Sequence, residues 1–199
     1  MAEPSAAEPS VRMTFEEWGD LPEDTEGELV DGQLVEEEVP TWIHERIVAM
    51  LISALDRWLG PRGAVGGSEA KFRVAPHRGR KPDLFVYLPG SKLPPGRAAV
   101  IDVPPDIMVE VVSQRPRDQR RDRVEKLSEY ARFGVRQYWL VDTELRTFQI
   151  HELAADGRYA HAVDATGGRI ESIPSCPGLV IDVDAIWAEV DRLEASGGA

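Results

Sequence analysis

Two acidic residues stand in apolar runs where a carboxylate is costly. Glu110 lies inside Ile107-Met108-Val109-Glu110-Val111-Val112, and Asp83 follows Pro82 and opens Asp83-Leu84-Phe85-Val86-Tyr87-Leu88. A charge in such a strand is exposed at a sheet edge, paired, or bound to a cation. If the two strands adjoin, both acids converge on one point. Two carboxylates completed by water and phosphate oxygens suit Mg²⁺ or Mn²⁺, hard ions that take oxygen ligands. The chemistry this allows is metal-assisted hydrolysis of a phosphodiester. Singly, each acid has a plainer reading, Asp83 as a strand-start turn residue and Glu110 as an edge charge that blocks aggregation.

Further polar residues could serve the same point. His44 lies one residue off an apolar stripe, where a histidine is either packed and hydrogen-bonded or functional. Glu28 is either an ion-pair partner across a hairpin or a third metal-site acid. Lys126 is either the surface partner of Asp122 at i,i+4, worth about 0.3–0.5 kcal/mol, or an ammonium brought to the acids along an apolar surface. Arg115, Arg117, Arg120 and Arg121 either track DNA phosphates or lace a solvated helix face.

The elements that must hold these residues can be read from periodicity. Thr14 with Glu17 forms a capping box ahead of a short helix. Asp31-Gly32 between Glu28-Leu29-Val30 and Gln33–Val39 is a hairpin signal. Ile43, Ile47, Met50, Leu51, Ala54, Leu55 and Trp58 recur at helical spacing until Gly60-Pro61. Strands follow at Ala70–Val74, Asp83–Leu88 and Asp106–Val112. A second helix spans 118–133, with Val124, Leu127 and Ala131 on its apolar face and Gly134 as its cap. Gln137–Asp142 reads as a buried strand with Tyr138 and Trp139 in the core. Hairpin strands follow at Leu145–Leu153 and Tyr159–Val163, then a strand at Leu179–Val183 and a terminal helix from Asp184. This order predicts a mixed α+β fold, a central mixed sheet flanked by helices with hairpins at both ends. Residues 1–12 are expected to be a disordered tail, 13–192 one domain, and 193–199 a flexible end.

Composition bounds the partners. The formal net charge of −12 over 199 residues arises within residues 1–40, where thirteen acids face Arg12 alone. The remainder is neutral, with basic stretches at 62–81 and 115–132, so nucleic acid is not excluded. The start of the chain lacks the pattern of a signal peptide, and no apolar run approaches the ~18 residues of a membrane span. Cys176 is the only cysteine, which excludes an intrachain disulfide and fits a reducing cytoplasm. Aromatic residues make up only 7% of the chain, which argues against a glycosidase reading of the paired acids, since a carbohydrate cleft is usually rich in them.

Pro82-Asp83 followed 27 residues on by Glu110 resembles the PD-(D/E)XK nuclease pattern, except that Val112 stands where the pattern has lysine. The wider text is more specific. Met13–Trp18, Glu28–Gly32, His44, Lys81-Pro82-Asp83, Glu110–Ser113, Asp122–Tyr130 and Tyr138–Asp142 occur in order. Together they resemble the bacterial Uma-type family of restriction-endonuclease-like proteins, long catalogued as a domain of unknown function, over about residues 13–190. The resemblance implies a restriction-endonuclease-like fold and divalent-metal-dependent cleavage of DNA. It implies Asp83 and Glu110 as metal acids, Glu28 as the N-terminal acid and His44 as the helix histidine. Lys126 is then the lysine that has moved from the vacated strand position. The family often reads Ser-Pro-Ser after the acid strand, whereas Ser113 is followed here by Gln114-Arg115-Pro116, a difference that bears on substrate preference. The competing class is a nuclease-fold module that binds or assembles without cutting. A nuclease with one active centre per chain cuts both strands of a duplex most simply as a homodimer.

Overall fold

The computed structural model describes residues 12–22, 25, 27–36, 39–112 and 119–196. Helix α1 (Phe15–Gly19) begins at the expected capping box, with Thr14 and Glu17 exchanging side-chain and backbone hydrogen bonds. Strands β1 (Glu28–Val30) and β2 (Gln33–Val35) pair through a turn in which Asp31 and Gly32 have φ of 53° and 79°. Positive φ at both positions is what an Asp-Gly hairpin turn requires. The second strand stops at Val35, short of the expected Val39, and residues 37 and 38 lie outside the described residues. Helix α2 (Trp42–Leu59) starts at the Thr41 cap and buries Ile47, Val48, Leu51, Leu55 and Leu59.

The main sheet has six strands in the order β10-β9-β8-β7-β6-β3. They are β3 (Ala64–Gly67), β6 (Leu84–Tyr87), β7 (Ile107–Val111), β8 (Gln137–Asp142), β9 (Thr147–Leu153) and β10 (Tyr159–Ala165). Strands β7 and β8 run parallel, and the other neighbours run antiparallel. A parallel pair needs a crossover. Here the crossover carries a π-helical segment, Arg121–Lys126, that runs into helix α3 (Leu127–Phe133) and ends at Gly134 with φ of 97°. Strands β4 (Phe72–Ala75) and β5 (Arg78–Arg80) join the N-terminal hairpin in a second sheet of order β2-β1-β5-β4.

Apolar clusters cover both faces of the main sheet. Ile47, Leu51, Val109 and Trp139 pack on one side with Ile186 and Val190 of helix α4 (Val183–Ser196). Phe72, Met108, Tyr130, Tyr138 and Leu140 pack on the other. The expected mixed sheet flanked by helices is therefore present, as are the two hairpins. Among the described residues, no helix is long and apolar enough to cross a membrane.

Several boundaries differ from the expectation. Strands β3 and β5 carry no apolar alternation and were not expected. Both rely on glycine for close approach. A Cβ on Gly66 would lie 2.1 Å from the Phe85 ring, and one on Gly79 would lie 2.3 Å from the Trp18 ring. The strand expected at Leu179–Val183 is reduced to a two-residue ribbon, β11 (Arg169–Ile170) with β12 (Ile181–Asp182). Helix α4 continues to Ser196, so residues 193–196, expected to be flexible, are helical. Of the expected tail, residues 1–11 lie outside the described residues, as do 197–199.

Candidate active site

The alternation of β7 decides where its acid goes. Ile107, Val109 and Val111 join the cluster on the α2 side, while Met108 and Val112 join the cluster beneath α3. A period of two places Glu110 with the second set. Strand β7 is flanked by β6 and β8, so Glu110 is not an edge charge. It is 3% exposed and paired. The Tyr130 hydroxyl donates to Oε1 at 2.8 Å, and Lys126 Nζ stands 2.9 Å from Oε2.

Asp83 arrives beside it by strand pairing. Leu84 is level with Val109 in the antiparallel β6–β7 pair, so the register carried one residue further sets Asp83 level with Glu110. The Asp83 Oδ2 accepts the Val111 amide at 2.6 Å and lies 3.1 Å from Nε2 of His44, in the first turn of α2. The other ring nitrogen of His44 faces Glu45 at 3.5 Å. Burial lowers the His44 pKa, but its contacts with Asp83 and Glu45 outweigh that and raise it overall.

The helix between β7 and β8 keeps only part of its expected inward face: Leu127 packs on the cluster beneath it and Ala131 is half-buried, but Val124 turns outward. Val124 is 56% exposed, whereas Arg121, Asp122, Lys126, Glu129 and Tyr130 are buried. A winding of 100° per residue places Lys126 at the flank of a Val124–Leu127–Ala131 face. The segment Arg121–Lys126 instead winds as a π-helix, whose i→i+5 bonds turn the chain through a smaller angle per residue. That moves Asp122 and Lys126 onto the sheet. Lys126 Nζ meets Glu110 at 2.9 Å, Glu28 at 3.4 Å and Asp122 at 3.4 Å, and its side chain is 2% exposed.

Glu28 lies behind this point, fully buried. One carboxylate oxygen accepts the Lys81 amide at 3.1 Å and faces Lys126; the other accepts from Arg80 at 2.5 Å, with Arg121 Nε at 3.7 Å. Both oxygens are engaged by cations and an amide, and Glu28 lies behind Lys126 rather than on the cleft wall, which is the arrangement of an ion-pair partner. Its pairing across the hairpin sheet is the alternative the structure favours, with Arg80 of β5 as the partner.

Two buried carboxylates near one ammonium titrate in opposite directions. Burial raises the Glu28 pKa, but Lys126, Arg80, Arg121 and the Lys81 amide together hold it at about 2. Burial pushes Glu110 well above the usual carboxylate range; Lys126 opposes this, and Asp83, Asp122 and Glu28 add to it. Asp122 is also raised, chiefly by burial.

Asp83, Glu110, Asp122, Lys126, His44 and Lys81 line a cleft of about 250 Å³. Among the described residues, no three Asp, Glu, His or Cys side chains stand close enough to hold a metal by themselves. The donor set still fits a hard divalent ion. Asp83 and Glu110 offer carboxylate oxygens on one cleft wall, and Mg²⁺ is ordinarily held by one or two carboxylates with the remaining positions left to water and phosphate. Burial raises Glu110, and Asp83, Asp122 and Glu28 add to that; a bound cation would oppose both by favouring the charged carboxylate. Asp122, buried with Oδ1 3.4 Å from Lys126 Nζ, is one of the acids that raise Glu110.

The structure thus brings together Asp83, Glu110, Lys126 and His44, with Glu28 behind them. Arg121 is buried in the cleft wall, whereas Arg120 is 74% exposed near Glu125. Arg115 and Arg117 lie outside the described residues. Sequence reasoning missed Asp122 as a cleft residue, Tyr130 as the donor to Glu110 and Arg80 as the partner of Glu28. The Asp122–Lys126 spacing was visible, but it entered only as the surface-pair alternative for Lys126.

The profile of a protein family described as "Uma2: Putative restriction endonuclease" matches residues 13–184. A crystal structure titled as a putative nuclease belonging to DUF820, from Anabaena variabilis, superposes with a TM-score of 0.70 at 17% identity, covering 88% of this chain and 98% of that one. No curated protein matches the sequence. The likeness establishes the restriction-endonuclease-like fold.

Proposed function

The chain belongs to the Uma2 family, and from that premise we propose that it is a divalent-metal-dependent nuclease that hydrolyses DNA phosphodiester bonds in the Asp83–Glu110 cleft. The observation that carries this reading is the 2.9 Å approach of Lys126 Nζ to Glu110. It supplies a cation in the cleft although Val112 occupies the usual lysine position. Asp83 and Glu110 would hold Mg²⁺ or Mn²⁺, which when bound polarises the scissile phosphate and lowers the pKa of a coordinated water. Lys126 stabilises the charge that develops on the phosphoryl oxygens. His44 fixes the Asp83 carboxylate through Nε2 and is a positioning residue. Arg121 and Lys81, both on the cleft wall, meet the flanking phosphates.

The working form in this proposal is a homodimer in a reducing cytoplasm, one active centre per strand of duplex. Light scattering at high micromolar concentration checks the dimer, and a monomer removes it.

The test of activity is cleavage of plasmid, single-stranded and branched DNA with Mg²⁺ and with Mn²⁺, alongside Mn²⁺ calorimetry of wild type and Asp83→Asn. Cleavage abolished by a chelator, and Mn²⁺ binding lost in Asp83→Asn, are the expected results. A folded protein that neither binds Mn²⁺ nor cuts any substrate overturns the proposal. It would leave the non-cutting module as the reading, which Val112 favours.

A further inference from the structure

We infer that Arg80 is a positioning residue for Lys126, acting through Glu28; this rests on the proposed nuclease reading. A lysine that comes from a helix has a flexible four-carbon stem, and its ammonium serves a transition state only if it is held still. Glu110 on the cleft side does not suffice, because a carboxylate that also serves the metal shares its charge between the two. The structure supplies a second hold from behind. Glu28 faces Lys126 Nζ at 3.4 Å and is itself pinned by the Arg80 guanidinium at 2.5 Å.

Arg80 is fully buried and is fixed from the other side by Glu129, with Nε to Oε2 at 2.7 Å and Nη2 to Oε1 at 3.1 Å. Glu129 lies three residues after Lys126 on the same helical run. The contacts therefore close a ring: Arg80 on β5, Glu28 on β1, Lys126 in the π segment, Glu129 on α3, and back to Arg80. The ring ties the N-terminal sheet to the helix that carries the ammonium. A planar fork is needed at Arg80, because it must reach two carboxylates in fixed directions, and a lysine there cannot do so. The Lys81 amide, the next backbone donor along, holds the remaining oxygen of Glu28 at 3.1 Å. Arg78 closes Glu129 from outside at 2.6 Å.

The test uses Arg80→Lys and Glu28→Gln in the full chain, read in two ways. The first is steady-state cleavage at saturating Mn²⁺, where kcat is expected to fall at least about tenfold with KM held within about twofold. The second needs no activity: brief acylation by an amine-reactive reagent, with Lys126 and Lys71 quantified by peptide mass spectrometry. Lys71 donates to the Trp18 carbonyl at 2.6 Å, is not a member of the ion-pair ring, and reports general opening. Labelling of Lys126 is expected to rise severalfold in both variants while Lys71 stays at the wild-type level. Should either variant fail to fold, the triple Arg80→Met, Glu28→Gln, Glu129→Gln removes the charges together and carries the same readouts. Lys126 labelling at the wild-type level in folded variants overturns the inference. So does a rise shared equally by Lys71, which would mark the ring as merely stabilising. If wild type does not cut DNA, the nuclease reading fails on its own, and the labelling still decides whether Arg80 holds Lys126.

Discussion

Lys126 Nζ lies 2.9 Å from Glu110 Oε2, although Lys126 is on a helix and Glu110 on the strand before it. In the pattern this chain resembles, the acid and the lysine are two residues apart on one strand and reach the same point because side chains alternate. Here position 112 is valine, 5% exposed and packed with Met108 and Tyr138. The ammonium instead enters from above the sheet. The solution works because the π segment directs Lys126 inward, and because Tyr130 on the same helix secures the other oxygen of Glu110.

Replacing Lys126 with methionine separates a catalytic ammonium from a surface pair. An exposed i,i+4 pair would be worth about 0.3–0.5 kcal/mol and nothing in rate. The side chain is 2% exposed, so that account no longer applies. Single-turnover cleavage by Lys126→Met at saturating Mn²⁺ is expected to fall on the order of a hundredfold or more, with metal affinity kept. A rate within about threefold of wild type would leave the cleft without its cation.

The proposed metal role of Asp83 and Glu110 should be separable from the fold. Asp83→Asn and Glu110→Gln are each expected to abolish Mn²⁺ binding by calorimetry. Metal-free Glu110→Gln should melt close to wild type, because relief from burial of the charge and from Asp83, Asp122 and Glu28 is offset by the lost ion pair with Lys126, while the amide keeps an acceptor for Tyr130. A variant that melts well below wild type and still binds Mn²⁺ would make these acids structural.

How much of this was legible follows from what each element buries. Helix α2 and strands β6, β7 and β8 bury apolar side chains at regular spacing, so Ile47, Leu84, Val109 and Trp139 announce them. Asp83 and Glu110 were legible for the opposite reason, as charges interrupting such runs. Strand β5 was not, because Arg-Gly-Arg buries a guanidinium against carboxylates that lie 49 and 52 residues away in sequence. The inward turn at the start of the crossover helix was missed for a related reason. An apolar stripe marks the inward face only where the interior is apolar; Leu127 meets such a cluster, but the turn before it faces Glu28 and Glu110. The π winding that turns Lys126 toward them leaves no mark in a 100° periodicity.

Tyr130→Phe tests the support beneath Glu110. It removes one hydroxyl, fully buried, that donates to Glu110 at 2.8 Å. The expected loss of stability is about 1–2 kcal/mol by urea denaturation, since an acceptor is left without its donor. Partners of metal-binding carboxylates also set their orientation, so Mn²⁺ affinity should weaken by about tenfold or more. Unchanged affinity would show that Lys126 alone orients the carboxylate.

Glu28 gives the fold a defined acid limit. Its folded pKa is held at about 2 by Lys126, Arg80, Arg121 and the Lys81 amide against the burial that raises it, compared with the ordinary 4.5. A depressed carboxylate contributes stability that is present above its unfolded pKa and lost as pH falls through the folded one. The window therefore runs from pH 4.5 down to about 2. The contribution is at most about 3 kcal/mol. Glu28→Gln leaves Arg80 and Lys126 facing a neutral amide, so the variant should be less stable than wild type at pH 6. The gap should narrow as the pH falls, because wild type loses the carboxylate that the variant already lacks. Urea midpoints at pH 6, 4 and 3 check this, and a gap that stays constant would mean that Glu28 is not held in its charged form.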